Sequence, residues 1–188
     1  MTLPHILEAE KKAIVDRWFA LILATYPADA AQFFRSGSSF TNPVGQSISQ
    51  GIDDIFDGLL AGAEPETFRP FLDSIIRIRA VQDFTASQAV IFIFHLKTAI
   101  RERCLGRIRA EGMLQELLLM ESRIDELAVM AFDIFMRCRE KLYDLKANEL
   151  KDRTLWLLKR TGFLTEVEDM PEQTAGCGTN VKQTKEVH

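Results

Sequence analysis

His95 is the residue best placed to hold a cofactor. It lies within the apolar stretch 90–100, and a histidine on such a helix can ligate haem iron. The other two histidines, His5 and His188, stand near the two ends of the chain and offer no second ligand. Large apolar neighbours at positions 91, 92, 94 and 96 fill the space that a porphyrin would need. We expect a core histidine, no iron and no cofactor; the alternative is haem ligation through His95.

The three cysteines, Cys104, Cys138 and Cys177, lie far apart and form no CxxC pair. An odd number in a chain without secretory features indicates free thiols. Cys104 adjoins Arg101 and Arg103, whose charges can lower its pKa and make it a redox candidate. Cys138 is expected to serve as a small apolar residue, and Cys177 to lie in a disordered tail.

Carboxylates are plentiful but do not form a recognisable catalytic or metal-binding pattern. The clearest groups are Asp53-Asp54, Glu121, Asp125-Glu126 and Asp133. None has the ExxH spacing of a di-iron bundle, and the chain has no GxSxG, P-loop or dinucleotide fingerprint. We therefore expect a protein without a metal site that is not an enzyme.

Arg77 and Arg79 are the two charges that stand out, because apolar residues surround them on one predicted helix. They are about 200° apart around a helix and cannot share a face. At least one should point inward, where a buried arginine needs a partner. Four carboxylates are candidates: Asp73, Asp83, Asp125 and Asp133. A buried ion pair is one interpretation, and an anion-binding site that includes Arg77, Arg79 and Asp83 is the other.

The totals describe a soluble protein of one domain. The chain has 188 residues, of which 47% are hydrophobic and 27% charged, enough apolar surface for a real core. A net charge of −4 argues against a nucleic-acid partner. The longest apolar run is residues 89–94, far too short to span a membrane. The first 17 residues mix acids and bases with apolar positions, so we expect a cytoplasmic protein without a signal peptide.

Helix signals dominate the chain, and strand signals are nearly absent. Thr2 and Pro4 predict a helix to about residue 25, and Pro27 a short one through Phe34. The later helices are predicted to begin at Asn42-Pro43, near residue 68, at the capping box Thr85–Gln88 and near Met113. Four glycines mark helix ends or turns: Gly62, Gly106, Gly112 and Gly162. The helix from residue 86 to about 105, apolar nearly all round, is expected to be the most buried. The fold class is all-α, a globin-like or helical-bundle domain with a long C-terminal helix.

The last predicted helix, residues 113–159, carries a heptad-like apolar seam. Met120 begins the seam, and the apolar cluster 155–158 beyond it has nothing local to cover it. We expect a homodimer through this helix. The predicted interface residues are Ile124, Leu127, Ala131, Ile134, Cys138, Leu145 and Trp156. The first part of the seam can instead be used by the domain's own core. The expected organisation is a helical domain over 1–150, a helix extension over 151–164 and a disordered tail over 165–188.

Four segments together resemble a known family. They are residues 24–29 (ATYPAD), 40–45 (FTNPVG), 76–84 (IRIRAVQDF) and 131–141 (AFDIFMRCREK). In combination they look like the RsbRD-type N-terminal domain of bacterial RsbT co-antagonists, and the likeness covers residues 6–150. The resemblance implies a haem-free, globin-like, dimeric input module of the kind that precedes STAS or histidine-kinase output domains. From the short segment after the last predicted helix we expect a module that acts without an output domain of its own.

The sequence therefore predicts a stand-alone, non-catalytic regulatory sensor or protein-interaction module. It would form a homodimer and act in trans on a regulatory protein that the sequence does not identify. The alternative is a ligand-binding protein that holds haem through His95 or a small apolar or anionic molecule.

Overall fold

The computed structural model describes residues 2–36, 42–82 and 84–162. In these ranges the chain forms seven α-helices and one 3₁₀ turn, without a strand. The elements are α1 Leu3–Ala9, α2 Lys11–Leu23, α3 Ala28–Ser36, α4 Pro43–Leu60, the 3₁₀ turn Pro65–Phe68, α5 Arg69–Val81, α6 Ala86–Ala110 and α7 Leu114–Arg160. The prediction of an all-α fold with a long C-terminal helix is confirmed.

Two helix starts form as their sequence signals indicate. The Asn42 side-chain oxygen accepts a 2.8 Å hydrogen bond from the Gly45 amide and caps α4. Thr85 and Gln88 form a complete capping box at the start of α6. Both caps satisfy amides that the helix itself leaves without partners, so these starts are fixed locally.

The boundaries differ from the predictions at two places. Glu10 leaves helical geometry (φ −107°, ψ 7°) and divides the predicted first helix into α1 and α2. The apolar periodicity continues across Glu10, so no sequence signal marks the break. Gly106 stays inside α6, which runs on to Ala110, and the turn comes instead at Gly112, whose φ of 73° suits glycine.

The core forms where α2 packs against α6 and α4 packs against α5. Trp18 of α2 is fully buried, and its indole N–H donates a 2.6 Å hydrogen bond to the carbonyl of Phe92 on α6. This bond satisfies the polar atom of the largest core side chain. One expectation is only partly met: Ile91 and Phe94 of α6 are each 39% exposed, so α6 is not buried all round.

Ion pairs join α6 to its neighbours. Arg17 of α2 binds Glu102 with two hydrogen bonds of 2.6 and 3.0 Å. Arg101 does the same with the buried Glu121 of α7, at 2.7 and 2.5 Å. Because bidentate pairs fix direction as well as distance, they hold α6 in register with α2 and α7.

Residues 1–146 form one compact unit, and a second unit begins at Ala147. The described part of the second unit, residues 147–162, consists of the last turns of α7 and a turn at Gly162. The predicted disordered tail 165–188, with Cys177, lies outside the described residues.

Candidate functional site

Arg79 of α5 is a buried cation enclosed by aromatic rings. Its side chain has no solvent exposure. The guanidinium carbon lies 5.0 Å from the ring centres of Tyr26 and Phe84 and 5.2 Å from that of Phe92. The electron-rich faces of three rings replace part of the hydration that the cation loses on burial.

Arg79 also makes two hydrogen bonds, while its buried Nε has no hydrogen-bond partner among the described residues. Its Nη1 donates to the carbonyl of Gln88 at 2.9 Å, and its Nη2 donates to Oγ1 of Thr25 at 3.0 Å. No carboxylate pairs with Arg79 within residues 2–36, 42–82 and 84–162. The prediction that the inward arginine pairs with a carboxylate is thereby corrected for these residues: rings and neutral acceptors take that place. The predicted partner Asp83 lies outside them.

Burial dominates the electrostatics of this cluster. It lowers the pKa of Arg79 from its ordinary value, and it raises the pKa of the Tyr26 hydroxyl. Arg79 joins the end of α2 to the first turn of α6, because its two acceptors lie on Thr25 and Gln88. The contacts seen here are those of a structural tie between helices.

Arg77 points the other way, as its 200° separation from Arg79 requires. Its side chain is 70% exposed and pairs with Asp73, one turn earlier on α5, at 2.5 Å. A pair this exposed contributes little to stability. The two arginines of the predicted anion site are therefore not brought together, and Arg77 belongs to a surface groove.

The groove lies between α5 and α7 and has a volume of about 430 Å³. We call it the α5–α7 groove. Its apolar lining comes from both helices: Ala80, Val81, Ile134, Cys138, Leu142 and Leu145. Charged side chains complete it: Arg69, Asp73, Arg77, Arg137 and Lys141. An apolar interior with a cationic edge is the character of a site for an amphiphilic anion.

The charges at the groove do not cancel. Both carboxylate oxygens of Glu66 are occupied by Arg69, at 2.6 and 2.8 Å, and Asp73 is held by Arg77. Arg137 and Lys141 form no ion pair with any described residue. The lining of the α5–α7 groove therefore includes two cations that form no ion pair with a described residue, four residues apart on α7.

The thiols are placed differently from one another. Burial, followed by the charge of Glu10, raises the pKa of Cys104 and outweighs the opposite effect of Arg107. The expectation that neighbouring arginines lower the pKa of Cys104 is wrong. Cys138 is half-buried in the α5–α7 groove, and burial, followed by the charge of Asp73, raises its pKa as well. Both described thiols are therefore protonated at neutral pH and poor nucleophiles.

His95 is half-buried on α6. Burial and then the positive charge of Arg79 lower its pKa, so the imidazole is neutral at physiological pH. Within residues 2–36, 42–82 and 84–162, no group of three or more histidine, cysteine, aspartate or glutamate side chains is arranged to hold a metal ion.

Four of the seven predicted interface residues lie in the chain's own core. Ile124, Leu127, Ala131 and Ile134 are at most 5% exposed within a single chain. The domain's own core therefore uses this first part of the seam, which is the alternative that the sequence left open. Cys138 is half-buried, and Leu145 and Trp156 are exposed.

Another face of α7 carries an apolar row that the sequence analysis missed. We call it the α7 row: Leu118, Val129, Phe132, Met136 and Tyr143, each between 40% and 66% exposed. Val129, Met136 and Tyr143 are spaced by exactly seven residues, which keeps them on one face of a helix. The seven-residue spacing continues in the sequence at Leu150 and Leu157, which are also exposed.

No helix within the described ranges is both long and apolar enough to cross a membrane. No curated protein and no solved structure shows significant similarity to the chain. A family model, described as the RsbT co-antagonist protein rsbRD N-terminal domain, matches residues 12–150, most of the chain. The match covers α4, α5, α6 and the part of α7 that carries the α7 row and the α5–α7 groove. The chain therefore belongs to the RsbRD N-terminal domain family of regulatory signalling domains.

Proposed function

We propose that this protein is a non-catalytic, cytoplasmic regulatory module of stress signalling that forms a homodimer through α7 and acts in trans on another regulatory protein. Family membership supports the regulatory part. The free thiols of Cys104 and Cys138 suit a reducing compartment.

The α7 row is the observation that carries the dimer. Five large apolar side chains along one helix are exposed by 40% to 66%. Contiguous apolar surface of this kind marks an interface more often than it remains in water. The seven-residue spacing is that of helices packing side by side, where each apolar side chain fits between those of a partner helix. A second copy of α7 presents the same row and is the simplest partner.

Of the remaining predicted interface residues, Trp156 extends this proposal, and Cys138 and Leu145 line the α5–α7 groove. Trp156 is 55% exposed, and Leu155 and Leu157 beside it are also exposed. Leu145 lies at the α5–α7 groove. We propose Trp156 and its neighbours as a further contact of the dimer, since tryptophan is enriched among the residues that contribute most to interface affinity. Leu145 is set apart, because a groove of its own explains its exposure.

The dimer is tested by placing a charge in the α7 row. Phe132→Asp should convert a dimer of twice 21.4 kDa into a monomer, because a buried, unpaired carboxylate at the interface is strongly unfavourable. Phe33→Asp is the matched control, since Phe33 is similarly exposed but lies on α3, which packs against α4. Light scattering measures the mass, and circular dichroism confirms that both variants are folded.

Wild-type protein that remains monomeric at tens of micromolar would refute the dimer. A Phe132→Asp variant that stays dimeric would remove the α7 row from it. In cells, the stress response should be lost in a strain carrying Phe132→Asp and retained with Phe33→Asp. Equal responses in the two strains would contradict the link between the dimer and regulation.

The α5–α7 groove favours a second function, the sensing of a small apolar or anionic molecule. Its volume of about 430 Å³ lies within the range of small-molecule sites. Of the two ligands that the sequence suggests, the groove favours this one over haem, since His95 does not line it.

A further inference from the structure

We infer that the α5–α7 groove binds an anionic amphiphile: a single unbranched apolar chain with an anionic head. The inference rests on the sensor part of the proposed function and names the ligand class. It is independent of the dimer, whose α7 row shares no residue with the lining of the groove.

The head group is indicated by charges without partners. Arg137 and Lys141 stand one turn apart on α7 and have no ion pair within the described residues. Like charges at this spacing repel each other. Asp73, the one carboxylate among the lining residues, is engaged by Arg77, while Asp133 stands one turn before Arg137 on α7, outside the lining. An anion between Arg137 and Lys141 would relieve the repulsion, and a guanidinium can grip a carboxylate or phosphate with two parallel hydrogen bonds.

The apolar chain is indicated by the floor of the groove. Ala80 and Ile134 form buried parts of it, while Val81 and Leu145 leave 70% and 58% of their surface in water. These side chains come from both α5 and α7, so a hydrocarbon chain lying between the helices would cover both at once. Removing such apolar surface from water is favourable and draws a hydrocarbon chain into the groove.

Size separates a small amphiphile from a protein segment. A volume of about 430 Å³ suits a drug-sized molecule. A docked amphipathic helix needs a row of pockets along several turns. The lining runs the whole length of α5, Arg69 to Val81, roughly 18 Å at 1.5 Å per residue. It encloses one pocket and not a row of them, and Cys138 lies in it beside the two cations. A single short chain fits this length, with its head at Arg137 and Lys141.

Calorimetry with decanoate, below its micelle concentration, tests the inference. Wild-type protein should bind about one decanoate per chain. Arg137→Gln/Lys141→Gln should weaken binding by at least about tenfold, because charge-assisted hydrogen bonds are lost. Arg103→Gln/Arg109→Gln removes the same charge from exposed positions on α6 and should leave the affinity unchanged. Decanol, which lacks the charge, should bind weakly; decyl phosphate, compared with decanoate, identifies the preferred head group.

A thiol assay locates the bound chain. In a Cys177→Ser background, Cys138 is the accessible described cysteine, since Cys104 is buried. Decanoate should lower the alkylation rate of Cys138 in proportion to the fraction of protein that has decanoate bound. The Cys138→Phe variant, whose larger side chain fills the groove, should not bind decanoate. If Cys138→Phe unfolds the protein, the paired glutamine variants still decide the question.

Three results would overturn the inference. They are absence of saturable decanoate binding, equal affinity in the two glutamine double variants, and protection of Cys138 that depends on protein concentration but not on decanoate. The last would mean that a second copy covers the groove. Mass measurement of the same samples reports the dimer separately, so failure of one proposal is distinguishable from failure of the other.

Discussion

Replacing Arg79 by methionine tests whether a cation without a carboxylate partner can hold the helices together. Methionine keeps most of the apolar volume but removes the charge and both hydrogen bonds. The matched control is Arg77→Met, two residues away on the same helix, where the side chain is 70% exposed. The pair separates the effect of burial from the loss of an arginine.

The structure sets the size of the effect. Hydrogen bonds from a charged donor contribute about 1.5–3 kcal/mol each, and Arg79 makes two. Each of its three ring contacts adds about 0.5–1 kcal/mol or more. Against this stands the desolvation of a buried guanidinium, several kcal/mol. We expect Arg79→Met to lose about 2–4 kcal/mol of unfolding free energy and Arg77→Met less than about 1 kcal/mol.

Urea denaturation followed by circular dichroism measures the difference. With a slope of about 1–3 kcal/mol per molar urea, the Arg79→Met midpoint should fall by roughly 1–2 M. Trp18 fluorescence in a Trp156→Phe background reports the same region, since Trp18 lies against Phe92. Protein concentration is held constant so that association does not shift the midpoint. Equal small losses in both variants, or a more stable Arg79→Met protein, would refute the reasoning.

Two further predictions concern a helix cap and a titrating group. Asn42→Ala should lower the unfolding free energy by about 1–2 kcal/mol, and Asn42→Asp should lower it by less. The reason is that the Asn42 amide both accepts from the Gly45 N–H and donates to the Phe34 carbonyl at 2.8 Å, and aspartate keeps only the acceptor. Equal melting temperatures of the Asp and Ala variants would contradict this. The second concerns His95, whose folded-state pKa is lowered by burial and by Arg79. The unfolded chain therefore binds a proton that the folded chain does not, and stability falls as pH drops below the unfolded pKa of about 6.5. In His95→Gln the urea midpoint should depend less on pH between about pH 7 and 5.5 than in wild type. The same dependence of the midpoint on pH in both proteins would show that His95 is not the titrating group.

The helix starts could be read from the sequence because they are local. The Thr85 capping box and the Asn42-Pro43 start depend on residues within one turn, and both form. The break between α1 and α2 at Glu10 could not be predicted, because nothing in the neighbouring residues distinguishes Glu10 from the middle of a helix. At Gly106 the sequence predicted a helix end that does not occur, since a glycine ends a helix only if the chain also turns there.

The site was harder to predict because its partners are distant in sequence. Thr25, 54 residues from Arg79, and the ring of Tyr26 meet Arg79 only through packing of α2 against α6. On α7 two apolar stripes satisfy the same spacing rule, and periodicity alone does not say which one the domain buries. The stripe through Ile124 proved to be core, and the row through Val129 was left exposed. The packing of α7 against other helices decides between them, and that packing is not written in the periodicity of α7.

The tie made by Arg79 has a consequence for local motion. The first turn of a helix ordinarily opens on its own, and its amide hydrogens exchange with solvent long before the rest. In α6 the opening of that turn would pull the Gln88 carbonyl from a guanidinium that also holds Thr25 on another segment of the chain. The start of α6 and the end of α2 are thereby joined in one cooperative unit. Their amides should exchange together, at the rate of global unfolding, although both lie at helix ends.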